Sequence, residues 1–460
     1  MIDLENSELW EEIEEAVEGK KYARLRQMFL SMEPADIAII LSDFPEEQLP
    51  VLFRLLPKEL AAETFVEFEP DAQEVLITGF SNRELKAVLD EMFLDDTVDL
   101  VEEMPATMVK RILRQSDPEM RKSINEMLKY PEDSAGSMMT TEIVDLKQHM
   151  TVAEAIRRIR RTAPDKETIN ICYVTDPSRR LIGTVSIRTL LLAEEYDIIK
   201  DIMDPNVVSV TTQEDRELVA QAFTRYGFIA IPVVDGENRL VGIVTFDDAI
   251  DVMEEEVTED IEKMAAITPT DKPYLKAGPL ETWKARIPWL MLLMLSATFT
   301  SMIMSKFEAA LAACIILNSY IPMLTGTGGN SGTQASVAVI RALSLSEVEF
   351  ADIFRVIWKE IRVGVLCGAM LAAANFVKMI LFDRMLLGDA SVTVMVAAVV
   401  SLTLVLVVFM AKLVGSSLPL IAKKLGFDPA VMASPFITTI VDAMSLLVYF
   451  GFAQILLGVG

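Results

Sequence analysis

Histidine and cysteine are nearly missing from this 460-residue chain, which has one of the first and three of the second. A single histidine, His149, excludes a multi-histidine zinc centre, and a lone residue of this kind reads as a surface turn. Cys172, Cys314 and Cys367 are too few and too scattered for a disulfide framework or a thiolate metal site. They fit a reducing, cytosolic setting for any soluble part. The opening stretch MIDLENSELWEEIEEAVEG lacks both the basic and the apolar segment of a cleaved signal, so none is expected. No nucleophile–base arrangement and no glycine-rich phosphate loop stands out in the first half, so an enzyme is not expected.

Charge of one sign is what the chain has in excess, and it is unevenly placed. The net charge is −26, yet 52% of the residues are hydrophobic. Residues 1–130 hold 30 Asp and Glu against 14 Lys and Arg; residues 131–278 hold 28 against 16; residues 279–460 hold 10 against 12. An acidic soluble portion is therefore followed by an apolar one. Such acidity repels nucleic acid and attracts cations.

A membrane crossing needs roughly 20 mostly apolar residues. Five stretches qualify, at about 286–305, 310–338, 354–382, 391–421 and 430–457. The second, fourth and fifth exceed a straight crossing, which tilt, a kink at Pro322 or a break at glycines would absorb. Lys and Arg near the ends set orientation. Arg286, Arg341, Arg355, Lys359, Arg362, Lys423 and Lys424 fall on one side, expected to be cytoplasmic, and Lys306, Lys378 and Arg384 on the other. The soluble portion is thus expected inside the cell and the C-terminus outside.

Two features of these spans point to chemistry. Asp442 is the one charge inside the fifth span; a carboxylate there costs about 2.5–3.5 kcal/mol on insertion scales and usually faces water or a bundle interior. Its plainer reading is a hydrogen-bond partner for a neighbouring helix. Residues 326–334, GTGGNSGTQ, carry Asn330 and Gln334 four apart, on one face if helical. Their oxygens suit the water shell that Mg²⁺ is slow to give up; the plainer reading is a glycine-mediated helix crossing. Lys412, in the fourth span, either pairs with a carboxylate or snorkels, and snorkelling is expected.

The soluble portion carries two repeats. Phe44, Leu56, Phe68, Phe80, Met92 and Met104 are spaced by twelve, as are Leu41, Phe53, Phe65, Ile77, Leu89 and Val101. Proline or serine follows four of the first series, and Ser81-Asn-Arg-Glu84 reads as a capping box. Short helices that bury their faces only by stacking are expected, an all-helical solenoid over about residues 5–130. Further on, YVTDPSRRLIGTVSIRTLL (173–191) recurs as VVDGENRLVGIVTFDDAI (233–250), offset by 59. This strand–turn–strand–helix unit with G-x-V-[ST] resembles a tandem CBS pair. The resemblance implies adenine-nucleotide binding through [ST]-x-x-D, kept as Thr245 and Asp248 in the second copy, with Arg188 against phosphate. The first copy has Thr189 where the acid is expected. The second copy runs into DDAIDVMEEEVTEDIEKMA (247–265), a charged connecting helix.

IPWL in the first span, PMLTGTGGNSGTQ in the second and DPA…PFITTIVD in the fifth resemble the MgtE-type magnesium channels. The resemblance covers nearly the whole chain. It implies a multidomain fold: an acidic all-α N-terminal domain (1–130), an α/β CBS pair (131–250), a connecting plug helix (251–278) and a five-helix transmembrane pore domain (279–460). It implies that Asp442 holds hydrated Mg²⁺ in a pore at a homodimer axis and that Asn330 lines that pore. It further implies Mg²⁺ binding by Asp95, Asp99, Glu217, Asp248, Asp251, Glu256, Glu259 and Asp260, with Asp428 near the connecting helix. Three positions depart from the family: Gly227 replaces an acid, Ser445 replaces a glycine, and Lys412 brings an unexpected charge. The implied function is a Mg²⁺ uptake channel of a bacterial-type cytoplasmic membrane, closed by cytosolic Mg²⁺. A carrier coupled to Na⁺ or H⁺ and a non-conducting membrane sensor are the alternatives.

Overall fold

The computed structural model describes residues 7–270, 274–275, 277–432 and 434–458. Along the chain it divides into two compact units, the first ending at Met253 and the second beginning at Glu254.

The first unit begins with a train of short helices: α1 (Ser7–Glu18), α2 (Tyr22–Phe29), α3 (Pro34–Ser42), α4 (Leu49–Phe53), α5 (Lys58–Val66), α6 (Pro70–Gly79), α7 (Asn82–Leu89), α8 (Leu94–Glu103), α9 (Ala106–Gln115) and α10 (Pro118–Met127). The twelve-residue period is one helix plus one turn. Every member of the Leu41 series is buried, and so is every member of the Phe44 series except Phe44 itself, which is partly buried. Each helix is too short to hide its apolar face alone; α1 packs on α2, and further on helices pack on the next but one, α3 on α5, α5 on α7, α7 on α9, α4 on α6 and α8 on α10. Pro57 and Pro105 stand at the N-cap of α5 and α9, one position earlier than expected, whereas Pro34, Pro70 and Pro118 occupy the first turn. The capping box at Ser81 and Glu84 is present in full.

The repeat at offset 59 appears as two three-stranded sheets of identical layout. The first comprises β1 (Asp145–Lys147), β2 (Ile171–Thr175) and β3 (Leu181–Ser186), with α11 (Val152–Thr162), α12 (Ile187–Leu192) and α13 (Ile199–Ile202) around it. The second comprises β4 (Val210–Thr211), β5 (Ala230–Val234) and β6 (Leu240–Thr245), with α14 (Arg216–Tyr226). In each, the outer pair is parallel and the hairpin antiparallel. Val174 pairs with Gly183 and Val233 with Gly242, and both hairpins shift register at the next residue. The seam between the sheets is filled by Tyr173, Leu181, Ala230, Val234, Leu240 and Ile243. The core of α1–α10 continues into the second copy through Val219, Phe223, Val233 and Ala249.

Helix α15 (Phe246–Met264) carries the acidic run across the boundary between the units. The second unit then contains α16 (Pro279–Lys306), α17 (Glu308–Ala313), α18 (Ile316–Ser344), α19 (Ile353–Lys378) with a π-helical continuation to Leu386, α20 (Val394–Lys424) and α21 (Ser434–Leu457). Among the described residues, four stretches are long and apolar enough to cross a membrane: Pro279–Lys306, Phe350–Leu386, Val394–Lys424 and Ala430–Leu457. The second expected span begins later than read, at Ile316, because α17 intervenes. It is not among the four, since its glycines and amides dilute its hydropathy. It nevertheless runs unbroken for 29 residues through the glycines. Helix α20 is the hub and packs on α18, α19 and α21.

Candidate functional site: a glycine crossing beside Asp442 and two groups of acids

The glycines of 326–334 are not alike. A Cβ on Gly328 would stand 2.6 Å from Val407 of α20 and 2.9 Å from Val441 of α21. One on Gly329 would meet Thr438 at 3.0 Å, and one on Gly332 would meet Ile437 at 2.6 Å. On the other side of the crossing, a Cβ on Gly415 would lie 2.2 Å from the Gly332 carbonyl oxygen. These positions let three helices approach backbone to backbone, as small residues do in membranes. Gly326 has nothing within 4 Å. It shares an exposed face with Asn330 and Gln334, which the helical spacing brings into one stripe. The close-packing reading therefore explains Gly328, Gly329 and Gly332 and leaves the polar stripe open.

Asp442 is half-buried on α21, one turn after Thr438 and next to Val441, both of which touch α18 glycines. No hydrogen bond joins it to Asn330 among the described residues. Ser445 is buried and its hydroxyl donates to the Val441 carbonyl at 2.6 Å, so this departure from the family is satisfied within its own helix. Lys412 does not snorkel. Its side chain is 7% exposed and its ammonium lies 3.9 Å from the Glu360 carboxylate of α19. Lys412 packs against Gly364 in the α19–α20 seam, and the side chains around it, together with Glu360, keep its stem from extending outward.

The expected sensing acids fall into two groups. In the first unit, Asp95 of α8 is buried, and burial followed by Asp248, Asp96 and Glu167 raises its carboxyl well above the ordinary range. Asp99, also on α8, keeps an exposed edge; desolvation by surrounding protein, then Asp248 and Asp96, move it upward too. Asp248 accepts a hydrogen bond from the Thr245 hydroxyl at 2.5 Å and is held near 6 by burial, against the lowering effect of that bond. Two acids absent from the sequence reading join them. Asp96 is pushed to about 7 by burial and by Asp248, and Glu167 to about 8 by burial and by Asp96, Asp247 and Asp248. Asp251 is exposed and acts on Glu67, whose carboxyl is raised by burial first and then by Asp251 and Asp247.

In the second unit, Lys263 donates to both Glu259 at 2.5 Å and Asp428 at 2.7 Å. Burial pulls the ammonium down, but these two carboxylates outweigh it and hold it above its ordinary value. Asp260 accepts from the Ser344 hydroxyl at 3.1 Å and is raised by burial. Glu217, in the first turn of α14, accepts from Gln221 at 3.2 Å. Glu256 is half-buried on α15. Gly227 is the left-handed C-cap of α14, with φ 66°, a conformation that an acid would adopt only under strain.

No three acids are drawn together at coordinating distance among the described residues. The donor set still fits a hard divalent cation. It consists of oxygens alone, and the raised proton affinities mark carboxylates short of positive charge. The residues expected to bind a nucleotide fit less well. Asp248 is turned to Thr245 and sits among acids, while Ser186 and Thr189 bond to each other at 2.8 Å in the first copy. Arg188 is exposed beside them.

Comparison with known proteins agrees with this organisation. A family model for an MgtE divalent cation transporter matches residues 321–452, one for an MgtE intracellular N domain matches 32–133, and CBS domain models match 135–196 and 199–255. The magnesium transporter MgtE of Thermus thermophilus is 39% identical over 449 residues, 97% of this chain and 98% of that protein. Its namesake from Bacillus subtilis is 35% identical over 437 residues, 94% of each chain. A crystal structure of the cytosolic domain of the Mg²⁺ channel MgtE in complex with ATP is similar at 37% identity and TM-score 0.50, covering 52% of this chain and 98% of that one. The soluble part of a magnesium transporter is similar at 30% identity and TM-score 0.50, covering 54% and 98%. With relatives this similar along almost its full length, the chain belongs to the MgtE family.

Proposed function

We propose that this protein is a Mg²⁺-selective channel that carries magnesium inward across a bacterial-type cytoplasmic membrane. The observation that carries the reading is Asp442, set on an apolar helix beside a glycine crossing whose partner helix leaves Asn330 and Gln334 exposed. A carboxylate and amide oxygens on neighbouring helices suit an ion that keeps its water shell. The exposed stripe of α18 is completed in this reading by a second copy, giving a pore at a homodimer axis. Helix α18 is then the fifth span of the pore domain (279–460), although its hydropathy is below that of the other four. The remaining domains of the reading are the helical solenoid (1–130), the CBS pair (131–250) and the connecting segment (251–278), whose plug helix is the part of α15 that ends at Met264. The soluble part lies in the cytosol and the C-terminus outside.

Regulation in this reading belongs to the acids. Asp95, Asp99, Glu217, Asp248, Asp251, Glu256, Glu259, Asp260 and Asp428 would hold regulatory Mg²⁺, which supplies positive charge between carboxylates. Like charges 4 Å apart repel by about 4 kcal/mol at an effective dielectric of about 20. Desolvated carboxylates such as Asp95 and Asp248 therefore resist approach when bare and tolerate it when neutralised. High internal Mg²⁺ thus favours the closed arrangement, and α15 leads from the acids to the pore. An adenine nucleotide is a further ligand of the reading. Its support is the ATP-bound relative, and the residues it would use here are Arg188, Thr245 and Asp248.

Mg²⁺ flux into proteoliposomes tests both parts. Flux should require Asp442 and fall as Mg²⁺ rises on the cytosolic side. Unimpaired flux in Asp442→Ala would refute the pore assignment. Flux indifferent to cytosolic Mg²⁺ would refute the feedback, and steep dependence on a Na⁺ or H⁺ gradient would favour a carrier.

A further inference from the structure

Helix α19 has two unlike faces. Gly364, Gly368, Ala372 and Asn375 are buried, with the two glycines packed on α20. On the other face, Phe354, Trp358 and Arg362 follow at intervals of four, as do Arg355 and Lys359, so the five share one side of the first three turns. All five are exposed: Phe354 by 82%, Trp358 by 60% and the Arg355 side chain by 88%. The stripe continues along the span as Leu366 and Met370, exposed by 72% and 78%. A basic and aromatic cluster thus heads an apolar, outward-facing ridge on a helix long enough to cross a bilayer.

The local charge balance favours an anion. Glu360 points the other way and is taken up by Lys412. The Asp352 carboxylate accepts from Arg355 at 3.0 Å, and among the described residues no carboxylate pairs with Lys359 or Arg362 on this face. The Arg362 guanidinium lies 5.8 Å over the Trp358 ring, and its Nε donates to the Trp358 carbonyl at 3.3 Å. That contact holds the guanidinium at the level of the indole, the depth at which tryptophan settles in a headgroup layer.

We propose that this face of α19 is a binding site for an anionic phospholipid, with the phosphate held by Arg355, Lys359 and Arg362 and the acyl chains lying along Leu366 and Met370. Charge complementarity names the occupant. Each basic side chain near an anionic leaflet is worth roughly a fivefold factor in partitioning, and the apolar ridge below it excludes a free phosphate as the matching ligand. The site is separate from the ion path and does not depend on the transport reading.

Quenching of Trp358 tests the proposal on the full-length protein in vesicles containing brominated phosphatidylglycerol or brominated phosphatidylcholine at equal mole fraction. The Trp358 signal is the difference between the wild type and Trp358→Phe. We expect the anionic lipid to quench it several-fold more effectively. The combined variant Arg355→Gln, Lys359→Gln, Arg362→Gln should bring the two lipids to parity while the protein stays monodisperse. Should that variant fail to fold, Lys359→Gln alone should narrow the preference to a value between that of the wild type and parity. Equal quenching by both lipids in the wild type would overturn the proposal. So would the absence of quenching by either, the result expected if a second copy covers this face.

Discussion

At the scale of single residues, the glycine crossing makes the sharpest demand. Gly415→Ala forces a methyl to 2.2 Å from the Gly332 oxygen, so the helices must part. Overpacking of this kind costs about 1–3 kcal/mol or more. A lower unfolding temperature in detergent is expected for Gly415→Ala, against little change for Gly326→Ala, which meets nothing within 4 Å. Asp442→Asn keeps the shape and removes the charge. Mg²⁺ flux should fall roughly tenfold or more, the effect of losing about 1.4 kcal/mol of ion stabilisation, while the unfolding temperature holds or rises. Asp442 was legible because an isolated carboxylate in an apolar run has few explanations. The fate of Lys412 was not, since Glu360 lies on another helix and no local spacing links them.

Among elements, the α19–α20 seam is held across its buried pair. Removing one partner of such a pair leaves an uncompensated charge and costs roughly 3–5 kcal/mol, whereas removing both is often neutral. Lys412→Met and Glu360→Gln should each lower the unfolding temperature, and the double variant should recover most of the loss. Additive losses would mean that the two side chains do not interact. The helical train and the duplicated sheets were readable because a period of twelve and an offset of 59 are properties of one chain segment compared with another. Pairings such as Val174 with Gly183 and Val233 with Gly242 keep that offset. The start of α18 was misjudged because the hydrophobic run continues through α17 and its break at Cys314 leaves no polar mark.

For the whole molecule, the raised carboxyls bear on the response to pH and, in the proposed reading, to divalent ions. In the unfolded chain, carboxylates titrate near 4; in the fold Asp248 stands at about 6, Asp96 at about 7 and Glu167 at about 8. Between about pH 4 and pH 8 the native state therefore holds more protons than the unfolded one, and stability falls as pH rises through that window. With divalent ions chelated, the full-length protein should melt at a lower temperature at pH 8 than at pH 6, and added Mg²⁺ should close most of the gap. A midpoint that rises with pH under chelation would contradict the acid cluster. The sequence supplied Asp95, Asp99 and Asp248 through family resemblance, but Asp96 and Glu167 enter through tertiary approach of the helical train to the CBS pair, which leaves no trace in local pattern.

Lys263 gives the second group of acids a different character from the first. Its amine is anchored to the same helix as Glu259 and already shared with Asp428. A dissolved cation seeking those oxygens must displace a competitor whose local concentration is fixed by the chain and cannot be diluted. Among the described residues no lysine or arginine pairs with Asp95, Asp96 or Asp248, so in the proposed reading these should fill first, and the oxygens at Lys263 only at higher ion levels. The protein would then read magnesium on two thresholds, and Lys263→Gln should merge them into one.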